Sequence, residues 1–149
     1  VTIAGSIGDS RSAIYSEAKT GTVGNGGSIN IKSGSLSLMD NAIIDASTSG
    51  QGDAGSIFIN ASNFVTIVDS DIVSKIKASG FGNAGQININ AASLSLNVGA
   101  QLQTLVSEAL ENEPAGQGNA GDINIDVIGA VNISGAKNKF ASAILSRVE

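Results

Sequence analysis

The chain has 149 residues, 42% of them apolar but only 3% aromatic, with no cysteine, histidine or tryptophan and a formal charge of −5. That balance argues against nucleic acid, which needs a basic face, and the eight Lys and Arg are too scattered for a polybasic membrane patch. The aliphatic content is too high for disorder and the ring content too low for an ordinary core, and no run is long enough for a membrane-spanning helix.

The first residues carry two short β segments, at Val1–Ile3 and Ala13–Ala18, separated by the stretch Gly5–Arg11. From Gly24 a longer pattern begins. GNGGSINI at Gly24 returns as GDAGSIFI at Gly52, GNAGQINI at Gly82 and GNAGDINI at Gly118. Each copy is followed by a second apolar run: SLSL from Ser35, FVTI from Phe64, SLSL from Ser93 and AVNI from Ala130. A third run follows each time, at Ala42, Asp71, Gln101 and Ala143. A repeated motif with a repeated downstream order is the mark of a stacked repeat architecture.

Within each copy the alternation has period two. In the second, Ile57 and Ile59 point one way while Ser56, Phe58 and Asn60 point the other. Such strands are too short to stand alone, so each needs the next repeat to satisfy its backbone. The expectation is one all-β domain over residues 1–149, a parallel β-helix (solenoid) of about four to five coils of three short strands. A part-coil at 1–23 precedes coils starting at residues 24, 52, 82 and 118, and the whole is expected to be a piece of a longer solenoid.

Stacking in register predicts interior columns. One is Ile29, Ile57, Ile87 and Ile123; its neighbour is Ile31, Ile59, Ile89 and Ile125. A second face carries Leu36, Val65, Leu94 and Val131 beside Ile3, Leu38, Ile67, Leu96 and Ile133. A third carries Ile14, Ile43, Ile72, Leu102 and Ile144. The adjacent pairs Ile43–Ile44 and Ile72–Val73 break the alternation and predict a bulge.

Glycines bracket each structural corner: Gly24 and Gly27, Gly52 and Gly55, Gly82 and Gly85, Gly118 and Gly121. They supply positive φ or close backbone approach. Asn25, Asp53, Asn83 and Asn119 are expected to stack at that corner. Three other corners are elongated. Gly5–Arg11 and Ala136–Phe140 lengthen the same corner in the first and last coils, and Ser107–Gly116 lengthens another. SEALENEP within the last has helix formers ended by Pro114, which predicts a single helical turn.

The signature GNAGxIxI followed by SLSL-type strands resembles the repeats of filamentous-haemagglutinin-like exoproteins of the two-partner secretion class, in the cyanobacterial style. The resemblance covers Val1 to about Val148. It implies a right-handed β-helix, export of the parent protein through an outer-membrane secretion partner, and display at the cell surface or release. The amino-terminal secretion domain of such proteins is not recognisable in the sequence, so export is an expectation for the parent protein.

Candidate sites are few. Asp40, Asp69 and Asp71 sit at equivalent corners and would be the carboxylates of a glycosidase or lyase, but polar corner residues ordinarily face water. The glycine corners lack the helix and Lys-Ser/Thr ending of a phosphate loop, and their spacing excludes a calcium roll. Glu108, Glu111 and Glu113 form a candidate interaction loop. Outward Asn30, Asn88, Asn90 and Asn124 predict amide ladders between coils.

The expected role is therefore a structural or adhesive module of a secreted or cell-surface protein, with no catalytic, cofactor or metal site. Its partners would be a surface glycan or protein, and copies of itself joined head to tail; nucleic acid and membrane insertion are not expected. The alternatives are a self-assembling filament subunit and a fragment of a β-helical carbohydrate-active enzyme.

Overall fold

Alternating β-branched or leucine residues and small polar ones give short extended segments throughout the computed structural model, which describes every residue except Asp9. Asp9 belongs to the elongated Gly5–Arg11 corner and lies outside the described residues. The strands of the opening part are β1 (Thr2–Ala4), β2 (Ser6–Ile7), β3 (Ser10–Arg11) and β4 (Ala13–Tyr15). The next two repeats give β5 (Ile29–Ser33), β6 (Leu36–Met39) and β7 (Ile43–Asp45), then β8 (Ile57–Ala61), β9 (Phe64–Val68) and β10 (Asp71–Ile76). The third gives β11 (Ile87–Ala91), β12 (Ser93–Asn97) and β13 (Gln101–Val106). The last gives β14 (Ile123–Val127), β15 (Val131–Ser134), β16 (Ala136–Lys137), β17 (Phe140–Ala141) and β18 (Ala143–Val148). The chain is all-β, with no helix among the described residues.

Three parallel sheets result. The first runs β14-β11-β8-β5, the second β1-β6-β9-β12-β15 and the third β18-β13-β10-β7-β4. The chain visits the sheets in rotation, so lateral neighbours come from successive repeats. Two small antiparallel ribbons, β2–β3 and β16–β17, stand apart from them.

In the first sheet Ile29, Ile57, Ile87 and Ile123 stand opposite one another, as do Ile31, Ile59, Ile89 and Ile125. The second sheet aligns Leu36, Val65, Leu94 and Val131 beside Ile3, Leu38, Ile67, Leu96 and Ile133. The third departs from expectation by one residue. Its column is Ile14, Ile44, Ile72, Leu102 and Ile144, with Ile43 opposite Asp71 and Ala13. The cause is the link before β7: Asp40–Ala42 is one residue longer than Asp69–Ser70 before β10. The expected bulge is absent, since β7 and β10 pair without interruption. Ile43, Ile44 and Asp45 are consecutive buried residues because that strand is covered on both faces.

The core is aliphatic. Leu36, Leu38, Ile44, Ile57, Ile67, Ile72 and Leu96 have no measurable exposure, and burying each contributes roughly 1.5–3 kcal/mol. All four Phe and the single Tyr lie at the surface: Tyr15, Phe58, Phe64, Phe81 and Phe140 are each at least 41% exposed. A row of hydroxyls completes the interior beside the glycine corners. Ser74 Oγ donates to the carbonyl of Gly55 at 2.8 Å and accepts from the amide of Gly85 at 2.9 Å. Thr104 continues the row by donating to the carbonyl of Gly121, which also accepts from Ser146, exposed on the last strand.

The expected helical turn in SEALENEP is replaced by a tight antiparallel turn, with amide and carbonyl exchanged between Leu110 and Glu113. A single turn fixes several dihedrals for little hydrogen bonding. Here the Pro114 carbonyl instead accepts from the Ser79 amide at 2.8 Å, tying the loop to the preceding repeat.

Candidate functional site

The corner between the second and third sheets is short in the three middle repeats and long at both ends of the stack. Asp40–Ala42, Asp69–Ser70 and Val98–Ala100 are the short links. The β2–β3 and β16–β17 hairpins replace them in the first and last repeats. Four strand steps separate those levels, about 19 Å at the usual spacing of about 4.8 Å. The result is a recess walled by two hairpins and floored by the short links and the starts of the strands that follow them, β7, β10 and β13.

The upper hairpin leans over the floor. Lys137 of the upper hairpin forms an ion pair with Asp69, two levels away. The Gly99 amide donates to Ser142 Oγ at 3.0 Å, and Gln101 Nε2 donates to the Ala141 carbonyl at 3.1 Å. Gly99 is a left-handed residue (φ 80°), and a Cβ there would stand 3.0 Å from the Lys137 amide nitrogen. A cavity of about 330 Å³ remains beneath this hairpin, with Asn41, Asp69, Asp71 and Gln103 on its floor and Lys137 and Phe140 on its wall. A second depression of about 500 Å³ lies at the other hairpin, bordered by Ser10, Arg11, Tyr15 and Asn41. The two meet at Asn41.

The described residues bring both signs of charge to the recess. Asp71 Oδ1 accepts the Gln101 backbone amide at 3.1 Å. Burial raises the Asp71 carboxyl above the ordinary carboxylate value; the Gln101 amide and the Arg11 charge oppose that rise, and Asp69 adds to it. Backbone strain concentrates here too. Asp40, Asn41, Asp69 and Val98 in the floor links, and Asn138 and Lys139 at the hairpin tip, all have φ between 49° and 73°. Asp and Asn tolerate that region, whereas a β-branched residue such as Val98 adopts it only when its surroundings impose it.

Asp69 and Asp71 therefore share one cavity, while Asp40 occupies the equivalent link one level away, exposed and outside it. Glu108 and Glu113 border a different depression with Lys75, Lys77 and Leu110, which Glu111 does not join. Among the described residues no group of three acidic side chains could hold a metal ion. Gly52, Gly82 and Gly118 stack with φ of 140–147°, and Gly55, Gly85 and Gly121 stack with ordinary φ. Gly24 and Gly27 begin the two columns. Asn83 and Asn119 continue the corner ladder upward from Asp53 through side-chain hydrogen bonds of 3.1 and 2.9 Å.

The outward asparagines do not form one ladder. Asn124 Nδ2 donates to Asn88 Oδ1 at 3.0 Å, but Phe58 stands between Asn88 and Asn30. Asn90 belongs to the neighbouring row, opposite Asn60 and Asp126. Away from the recess, the buried Asp45 carboxylate accepts from the Ser47 amide at 2.8 Å and lies 3.6 Å from Lys77 Nζ, which also pairs with Glu17. Burial works to lower the Lys77 pKa, but the Glu17 hydrogen bond and the Asp45 charge outweigh it and raise the value.

Sequence reasoning does not single out Arg11, Tyr15, Gln101, Gln103, Lys137 or Phe140. The signal that could find them is the matched lengthening of one corner at both ends of the stack. Comparison with protein-family models, with curated proteins and with solved structures finds no match.

Proposed function

We propose that this chain is a segment of right-handed parallel β-helix that serves a secreted or cell-surface protein as a rigid module presenting a contact surface. The observation that carries the reading is the repeat-by-repeat register of the three parallel sheets around one aliphatic core. Three strands per coil and four to five coils account for that register. The hand follows the strong preference of parallel crossovers and the exoprotein resemblance, which also supplies the expectation of export through an outer-membrane partner. A stack in which every interior strand of the three sheets is paired on both sides resists bending, and that suits a stalk. The Asp69 carboxylate is already engaged by Lys137, which favours contact over turnover.

Antibodies raised against the 149-residue chain are expected to label intact cells producing the parent protein, or their culture medium. Antigen released only by breaking the cells would overturn the reading.

End-to-end self-association is a second reading. It is favoured by Val131 and Ile133, nearly half exposed in the last repeat, and it needs one further first-sheet strand to fill the level between β14 and the β5 of a stacked copy.

A further inference from the structure

We propose that the recess between the β2–β3 and β16–β17 hairpins is a binding site for an uncharged oligosaccharide chain lying across the repeats. The proposal rests on the contact-surface reading above and names the ligand class of that surface.

Three observations select the ligand. The first is the floor. Its strands β7, β10 and β13 are interior members of the third sheet, each paired on both sides. No backbone edge is free there, so an extended peptide has no strand to join, and recognition must come from side chains. The second is the set of side chains offered. Asn41, Asp69, Asp71 and Gln103 present planar amides and carboxylates along the floor. Such groups match vicinal hydroxyls, which donate and accept at once. The third is the wall. Phe140 is 66% exposed on the upper hairpin and Tyr15 is 54% exposed beside the lower one. An exposed ring bordering a polar floor offers a platform for the C–H face of a pyranose, while a hydroxylated edge turns to the amides.

Charge disfavours the anionic glycans. Lys137 is already paired with Asp69, and Arg11 acts on Asp71. A sulfate or uronate at Lys137 would have to break its pair and would then lie against the released Asp69 carboxylate, and at Arg11 it would face the Asp71 carboxylate. An uncharged chain disturbs neither. The length also fits. The hairpins rise from levels about 19 Å apart and Lys137 reaches across two of the four steps, which leaves about 10 Å of open floor, room for more than one sugar ring, so affinity is expected to rise with chain length.

The test uses the intact 149-residue chain and a panel of neutral gluco-, galacto- and manno-hexaoses, with a sulfated and a uronic acid oligosaccharide as comparators, by titration calorimetry. The expected result is binding to at least one neutral hexaose, weaker for its disaccharide and little changed between low and high salt. Phe140→Ala and Tyr15→Ala are both surface truncations and should each weaken binding at least tenfold. Phe81→Ala, 61% exposed at another corner, should leave it unchanged. Three results would overturn the proposal: no binding to any neutral hexaose, binding confined to the anionic glycans and abolished by salt, or binding indifferent to both recess substitutions. Binding in solution is read independently of where the protein resides, so failure here leaves the surface-module reading standing, and failure of cell labelling leaves the site standing.

Discussion

A methyl group added to Gly85 would overlap the carbonyl of Gly55 in the repeat below, and Gly55 stands in the same relation to Gly27. Neither residue has positive φ, so glycine is required there by the closeness of stacked backbones. The earlier glycine of each signature, such as Gly82 at φ 147°, adds a conformational demand. Gly85→Ala is therefore expected to cost about 1–3 kcal/mol through overpacking. Gly34→Ala, whose nearest neighbour would be Asn63 Nδ2 at 3.8 Å, should stay within about 0.5 kcal/mol of the parent. Urea unfolding of the pair decides it, and equal losses would refute the stacking argument. Asp71 makes a prediction of opposite sign. Its folded pKa lies above the ordinary 3.8, so its favourable contribution is complete below that value and is lost as pH rises through the folded value. At neutral pH the charged group is a net burden. Asp71→Asn keeps an acceptor for the Gln101 amide and should raise the urea midpoint at neutral pH, with the gain fading on acidification below the ordinary carboxylate value. A gain that persisted in acid would show that charge is not the cause.

Between strands, the outward row of the first sheet contains a break that can be repaired. Asn124 donates its amide to Asn88, and the same step from Asn88 meets Phe58, which has no acceptor. Asn88 Nδ2 is buried without a partner. Phe58→Asn restores an acceptor at that level, and Phe58 is already 41% exposed, so only part of its ring contributes apolar burial. The substitution is expected to raise stability by about 1 kcal/mol, since an unsatisfied buried donor costs about 1–3 kcal/mol. A lower urea midpoint at unchanged m would show that packing of the ring outweighs the amide. The same rows show what the amino-acid sequence alone makes legible. Period-two alternation assigns a side chain to a face without knowing its neighbours, so it marks Ile57 and Ile59 as core and Asn88 as surface. Register across a link needs the link's length and shape. That is why alternation puts Ile43 where Ile44 stands, and why SEALENEP reads as a helical turn although the Pro114 carbonyl is taken by the preceding repeat. The recess is half legible: two elongated corners at one position are visible in the sequence, but not the lean of the β16–β17 hairpin toward Asp69, which depends on Gly99 admitting it.

Across the molecule the sheets are unequal: the second and third have five strands and the first has four. Consider a second copy placed above the first, its β1 on β15 and its β4 on β18. Ile3 would then continue the column of Ile133, and Ile14 that of Ile144. The first sheets would not meet. The β5 of the upper copy sits one level above its own β1 and β4, so a gap one strand wide would separate it from β14. Two strand edges would lose water without gaining partners, and an unpaired buried backbone group costs about 1–3 kcal/mol. The 149-residue chain is therefore expected to sediment as a monomer across a wide concentration range. The gap also dictates its remedy. Residues 82–93 hold a first-sheet strand and the corner after it, and Leu94 stands in the column that Val1 would continue. A chain carrying a copy of residues 82–93 ahead of Val1 would supply the missing strand, and is expected to form rods visible by electron microscopy. Rods from the parent chain, or none from the extended one, would mean that the ends meet by some contact other than strand pairing in register.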